Sequence, residues 1–198
     1  FFMMSHLYLL LSLMGNVFAY TPQNGDIIFH TSKSSQSKAI QIATKSPYSH
    51  VGIVYIKDGK PYVYEAISRV SLTPMKNWIS RGENKDYTVM RLKQNLSEEQ
   101  LQKMKKVGEK YEGTSYDLLF EWSDDRMYCS EIVWKIYKEG AGITLSKPKK
   151  MKNYHFDHPV VQKKLNERWK GNINWNEKVV APSDLMESHK LVLVETTY

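Results

Sequence analysis

One thiol, one imidazole and one carboxylate in this 198-residue chain are of the types, and at the positions, that can break an acyl bond. Cys129 is the single cysteine. It follows the polar stretch Trp122-Ser123-Asp124-Asp125-Arg126-Met127-Tyr128 and opens an apolar-periodic segment, 130–137, which predicts a helix beginning at the thiol. A thiol there meets the positive end of the helix dipole, which favours the thiolate, and the first N–H groups of the helix can receive a developing oxyanion.

The imidazole and the carboxylate lie on two predicted strands, 50–56 and 61–67, separated by Lys57-Asp58-Gly59-Lys60. Asp-Gly between alternating apolar runs is a strong local hairpin signal. With Asp58 and Gly59 as the loop, Lys57 pairs with Lys60, Gly52 faces Glu65, and His50 faces Ile67. Side chains alternate along a strand. His50, Gly52, Val54, Val63, Glu65 and Ile67 therefore share one face, while Val51, Ile53, Tyr55, Tyr62, Tyr64 and Ala66 share the other. His50 and Glu65 are diagonal neighbours at roughly 7–8 Å, a gap long side chains can bridge. A carboxylate bonded to one ring nitrogen would fix the tautomer of a catalytic histidine and stabilise its imidazolium. Two plainer readings compete with this one. A His–Glu pair can be a structural pair on a sheet surface, and a lone cysteine is commonly a small core hydrophobe.

The elements that must position these groups are legible in outline. Gly25-Asp26-Ile27-Ile28-Phe29-His30 reads as a turn into a buried strand, and 32–46 as a Ser-rich loop with a short helix. Thr73-Pro74 reads as N-cap and first position of a helical turn over 75–79. Segment 87–92 reads as a strand. Ser97-Glu98-Glu99-Gln100 fits a capping box, with Leu101, Met104, Gly108 and Tyr111 down one face of the helix that follows. A polar helix is expected from 159 to 169, ended by Gly171. The pattern predicts an α+β domain with an antiparallel sheet or small barrel packed against helices.

Composition sets the setting. Segment 1–19 is uncharged, with a greasy run over 7–14 broken by Gly15-Asn16 and ended by Val17-Phe18-Ala19. That is the pattern of a cleaved export signal, with 20–198 as the mature domain. The absence of a preceding Lys or Arg and the opening Phe are the departures from that pattern; a truncated or misread N-terminus would explain both, and an uncleaved membrane anchor is the competing reading. Periplasmic or extracellular location follows. One cysteine allows no internal disulfide and no Cys-rich zinc site. The net charge of +7 suits an acidic neighbourhood such as wall polymer or anionic membrane, and the scattered basic residues match no nucleic-acid motif. No nucleic-acid partner and no cofactor are expected.

The segments Gly25-Asp26-Ile27-Ile28-Phe29, Tyr48-Ser49-His50-Val51-Gly52-Ile53, Tyr64-Glu65-Ala66 and Tyr128-Cys129-Ser130-Glu131 resemble the permuted papain-like hydrolases of the NlpC superfamily, in the YiiX/YebB-like branch. The likeness extends to Thr73-Pro74-Met75 and Gly113-Thr114-Ser115-Tyr116-Asp117. It implies a circularly permuted papain-like fold in which histidine and carboxylate precede the cysteine. It also implies Cys129 as nucleophile, His50 as base and Glu65 as the third polar residue, with acyl transfer through a thioester. Cell wall peptide amides are the substrate class the superfamily implies. Lipid hydrolysis or acyl transfer, known among permuted members, is the alternative, and a catalytically silent module holding a wall peptide or lipid is the rival from another class. Further residues carry weaker signals. Tyr48 is expected on the face of His50, as an oxyanion donor or as packing. Tyr116 and Asp117 are expected to line the cleft, Asp117 being equally suited to a loop or cap. His155-Phe156-Asp157-His158 has no strong ligand spacing, and Asp157 there makes a good N-cap, so no metal is expected.

Overall fold

The computed structural model describes residues 20–198; segment 1–19, with the export signal read from it, lies outside the described residues. The hairpin forms as its turn chemistry requires. Asp58 and Gly59 both take the left-handed conformation, with φ of 50° and 71°, which a two-residue loop needs to match strand twist. The pairing runs from Lys57–Lys60 to Ile53–Tyr64 in the anticipated register.

The strands in chain order are β1 (Ile27–His30), β2 (His50–Lys57), β3 (Lys60–Ala66), β4 (Val70–Pro74), β5 (Thr88–Leu92), β6 (Ser115–Tyr116), β7 (Arg126–Met127), β8 (Lys149–Lys150), β9 (Lys178–Val179) and β10 (Leu191–Thr196). Six of them make one antiparallel sheet in the order β10-β5-β1-β2-β3-β4. The pairs β6–β7 and β8–β9 are two-residue ladders. The helices are α1 (Ser37–Thr44), α2 (Met75–Ser80), α3 (Glu98–Tyr111), α4 (Cys129–Lys135), α5 (Pro159–Trp169) and α6 (Pro182–Met186).

Both faces of the sheet are buried, each by a different partner. Val51, Ile53, Tyr64 and Ala66 pack against Met104 and Tyr111 of α3 and Ile132 and Val133 of α4. Val54 and Val63 pack instead with Met75 and Trp78 of α2. Gly52 is required by this packing. A Cβ there would lie 2.3 Å from Val63 Cγ1 and 2.6 Å from the Tyr64 carbonyl oxygen, closer than atoms approach.

The capping box of α3 forms: Ser97 Oγ accepts the Gln100 N–H at 3.1 Å, and Gln100 Oε1 accepts the Ser97 N–H at 3.0 Å. Other boundaries differ from the sequence reading. Thr73 belongs to β4, and α2 starts at Met75, because the Thr73 hydroxyl is taken up elsewhere. The helix that begins at Cys129 continues past Lys135 through a π-helical turn, Ile136–Gly140. The N-cap of α5 is His158 rather than Asp157: its Nδ1 accepts the Val160 N–H at 3.2 Å, with Pro159 at the first helical position. The edge strand β10 has no counterpart in the sequence reading; it exists through its pairing with β5.

Candidate functional site

β2 begins at His50 and β3 carries Glu65, so the hairpin register alone sets the two side chains together. His50 Nε2 lies 2.7 Å from Glu65 Oε2. Glu65 is fully buried, and its other oxygen, Oε1, accepts the Thr73 hydroxyl at 2.6 Å and the Arg81 Nη2 donor. A buried carboxylate is costly unless paired and hydrogen-bonded, and this one is both. Burial raises its pKa, but the His50 bond and charge, then Arg81 and Thr73, outweigh burial and lower it to about 2.

With Nε2 committed to Glu65, Nδ1 is the ring nitrogen left for the thiol. Cys129 is the first residue of α4, buried, with Tyr128 as the extended N-cap before it. Burial lowers the pKa of His50, but its interactions with the Cys129 thiol and the Glu65 carboxylate prevail and raise it to about 9. The imidazole therefore holds its proton through neutral pH. A second imidazole lies beside it. His30 pairs across the strands with His50, its ring centroid 5.2 Å from that of His50 and 3.9 Å from that of Trp78. Burial first, and then the charges of His50 and Arg81, lower its pKa to about 2. His30 thus remains a neutral spacer and leaves the proton to His50.

The helix that presents Cys129 is anchored by a buried charge pair. The Glu131 carboxylate accepts the Tyr128 N–H at 3.4 Å and lies 2.8 Å from Lys135 Nζ, which also reaches Asp124 at 2.7 Å. Burial raises the pKa of Glu131 to about 7 despite Lys135. The Ser130 hydroxyl donates to the Val180 carbonyl at 2.6 Å, tying the same turn to the segment before α6.

On the far side of the thiol from Glu65 is a cavity of about 90 Å³. Cys129 and Gln36 line it together with Ala39, Phe120, Val161 and Leu165, the last two from α5. Gln36 Nε2 donates to the Tyr116 hydroxyl at 3.0 Å, and its Oε1 accepts from Arg168. Burial, and then the neighbouring Cys129 charge, raise the Tyr116 pKa, so its hydroxyl keeps its proton.

Tyr116 reaches the cavity wall through its bond to Gln36, and neither it nor Asp117, both expected to line the cleft, is among the cavity's lining residues. Asp117 is buried and spends its carboxylate on the Leu119 and Glu121 N–H groups at 2.8 and 2.6 Å, ordering the loop before Cys129. Tyr48 packs on Phe29, on the sheet face opposite His50. Its hydroxyl is bonded to Thr88 at 2.9 Å, so it does not line the cavity. Arg81, His30 and Gln36 were not read from the sequence as site residues, and Thr73 was read there as a helix cap rather than a partner of Glu65. For Arg81 and Gln36 no local signal exists. His30 could have been found by extending the pairing to β1, where it stands opposite His50.

The comparisons with known proteins bear on the family and the fold. A family model described as "Permuted papain-like amidase enzyme, YaeF/YiiX, C92 family" matches residues 21–195. The uncharacterized protein YiiX of Escherichia coli K12 is 47% identical over 188 residues, covering 94% of this chain and 93% of the relative. A crystal structure described as the metalloprotein YiiX from Escherichia coli O157:H7 superposes with a TM-score of 0.88 at 46% identity, covering 90% of this chain and 99% of that one. The described residues do not fit a resident metal. No group of three or more His, Cys, Asp or Glu side chains among the described residues is placed to hold one, and the lone pairs of Glu65 are committed to His50, Thr73 and Arg81. The chain, matched over nearly all its length, belongs to the permuted papain-like amidase family of the YaeF/YiiX type.

Proposed function

We propose that the protein is an exported cysteine hydrolase that cleaves an amide bond through Cys129, His50 and Glu65 and a thioester intermediate. The observation that carries this reading is the pairing of His50 with a buried, fully bonded Glu65, in a fold that starts α4 at a buried Cys129. The Cys129 sulfur, having given its proton to His50, attacks the scissile carbonyl carbon. The resulting oxyanion is received by the N–H groups of the first turn of α4, with the Tyr116 hydroxyl as a further donor. The His50 imidazolium then protonates the leaving amine, the C–N bond breaks, and water attacks the thioester with His50 as base. Glu65 holds the imidazole and offsets its charge throughout.

Cell wall peptides are the amide substrates that the superfamily resemblance supports. A second reading is favoured by a specific observation: the cavity at Cys129 is walled by aliphatic and aromatic side chains, which suits a lipid acyl group. An apolar cavity of ~150 Å³ takes up benzene. One of about 90 Å³ is matched to a short aliphatic end or to the first methylenes of a longer chain. Incubation of the purified protein with peptidoglycan fragments and, separately, with phospholipids, followed by mass spectrometry of products, tests both readings. Release of a free carboxyl product that Cys129→Ala does not release supports the mechanism. Turnover unaffected by Cys129→Ala refutes it.

A further inference from the structure

We propose that the basic outer wall of the Cys129 cavity is a docking surface for an anionic lipid bilayer. The proposal rests on the lipid reading of the cavity given above. Residues 147–178 hold nine Lys and Arg against three Asp and Glu, so +6 of the chain's net +7 is concentrated in this one stretch. The same stretch closes the cavity from outside: Met151, Phe156, Val161, Leu165 and Trp169 face inward.

The outward side is one continuous surface. β8 and β9 pair Lys150 with Lys178. The Lys152 N–H donates to the Trp175 carbonyl at 3.0 Å, the Trp175 ring lies 5.2 Å from that of Phe156, and the Phe156 carbonyl accepts Gln162 Nε2 at 2.6 Å. This chain of contacts leads into the first turn of α5, which carries Val160 and Lys163. Lys150, Lys152, Lys163 and Lys178 are exposed, and Trp175 and Val160 are 40% and 41% exposed among them. Of the lysines in this stretch, among the described residues, Lys149 and Lys164 pair with carboxylates (Asp184 and Glu167).

Two features choose a bilayer over a soluble polyanion. Lysines near an anionic leaflet each contribute to binding, and an exposed Trp is at home at the headgroup level. A polymer in solution would use the lysines, but it has no use for Val160 or for an apolar cavity directly behind them. A bilayer surface supplies both the charge and the apolar groups to enter the cavity.

The test is vesicle flotation of the full chain carrying Cys129→Ala, so that lipid is not consumed. Phosphatidylcholine vesicles are compared with and without phosphatidylglycerol. The variant Lys150→Glu/Lys152→Glu/Lys163→Glu is set against Lys103→Glu/Lys105→Glu/Lys106→Glu on α3, which changes net charge equally and keeps residues 1–19 in common. We expect affinity for the anionic vesicles to fall at least about tenfold for the first and by less than about twofold for the second. Trp175→Ser, which alters no charge, should weaken binding severalfold and serves as the second variant if the triple change impairs folding. Equal losses from both triple variants, or equal binding to neutral vesicles, would overturn the proposal. So would a Trp175→Ser protein that binds as before while heparin competes fully, which would point to a soluble polyanion. Hydrolysis does not enter this assay. A docking surface without a lipid product, or a lipid product without docking, tells the two readings apart.

Discussion

The two sides of the Cys129–His50 contact are built on opposite principles. Behind His50, Glu65, Thr73 and Arg81 are locked by short charged hydrogen bonds, and His30 and Trp78 fill the remaining space. In front of Cys129 the wall is apolar, assembled from α1, α5 and the loop at Phe120. The proton-handling side is fixed by directional bonds, in which one lost partner leaves a buried charge exposed to cost. The cavity side is shaped by hydrophobic packing, which grades smoothly with size. The chemistry should therefore respond to pH and to single-atom changes, and substrate choice to volume.

The largest expected effect breaks the chemistry outright. Cys129→Ala should reduce turnover by more than about 10⁴-fold while leaving the melting temperature nearly unchanged, since a small residue at a helix start adds little packing. A residual rate near the parent's would sink the cysteine mechanism. Next, Glu65→Gln should cost of order 10–1000-fold, less than losing the thiol, because orientation survives better than charge. Arg81→Ala, which removes one of three Glu65 partners, should cost less again and should raise the pKa of Glu65 toward its ordinary range.

The pH profile sharpens the same contrast. His50 is raised from 6.5 to about 9, so activity that needs its proton should fall as pH climbs through 9. Its contribution to stability is fully present below 6.5 and is lost as pH rises through 9. Glu65 is lowered from 4.5 to about 2; its contribution is present above 4.5 and is lost as pH falls toward 2. NMR titration of the imidazole in Cys129→Ala should give a lower His50 pKa than in the parent. An unchanged value would mean the thiol does not act on the ring.

On the apolar side, Ile40→Trp fills part of the cavity from a half-buried position. KM for substrates with an aliphatic group beside the scissile bond should rise roughly tenfold, while alkylation of Cys129 by iodoacetamide proceeds at the parent rate. Parallel losses in both assays would show that the substitution disturbs the thiol rather than the cavity. The smallest expected effect is that of a chelator, which should leave turnover unchanged. Abolition by EDTA with restoration by a metal would reopen the chemistry of this site.

The hairpin and the helix start were legible in the sequence because the rules that fix them are local. Asp58-Gly59 selects the turn, a side-chain period of two then assigns His50 and Glu65 to one face, and Ser97 with Gln100 closes α3 from four residues of sequence. The place of Cys129 at the head of α4 came from the change from polar to periodic residues, again within one turn. Other features were decided by the tertiary structure. Thr73 could be read as a cap, and became a partner of Glu65 once β4 paired with β3. Tyr48 could be read as facing the site, yet it packs on Phe29 with its hydroxyl on Thr88. Arg81, Gln36 and the cavity wall formed by α5 against α1 join residues far apart in the chain. No local period encodes such contacts. They are chosen by which surfaces bury most apolar area while leaving every buried charge bonded, and that balance exists only when the whole domain is assembled.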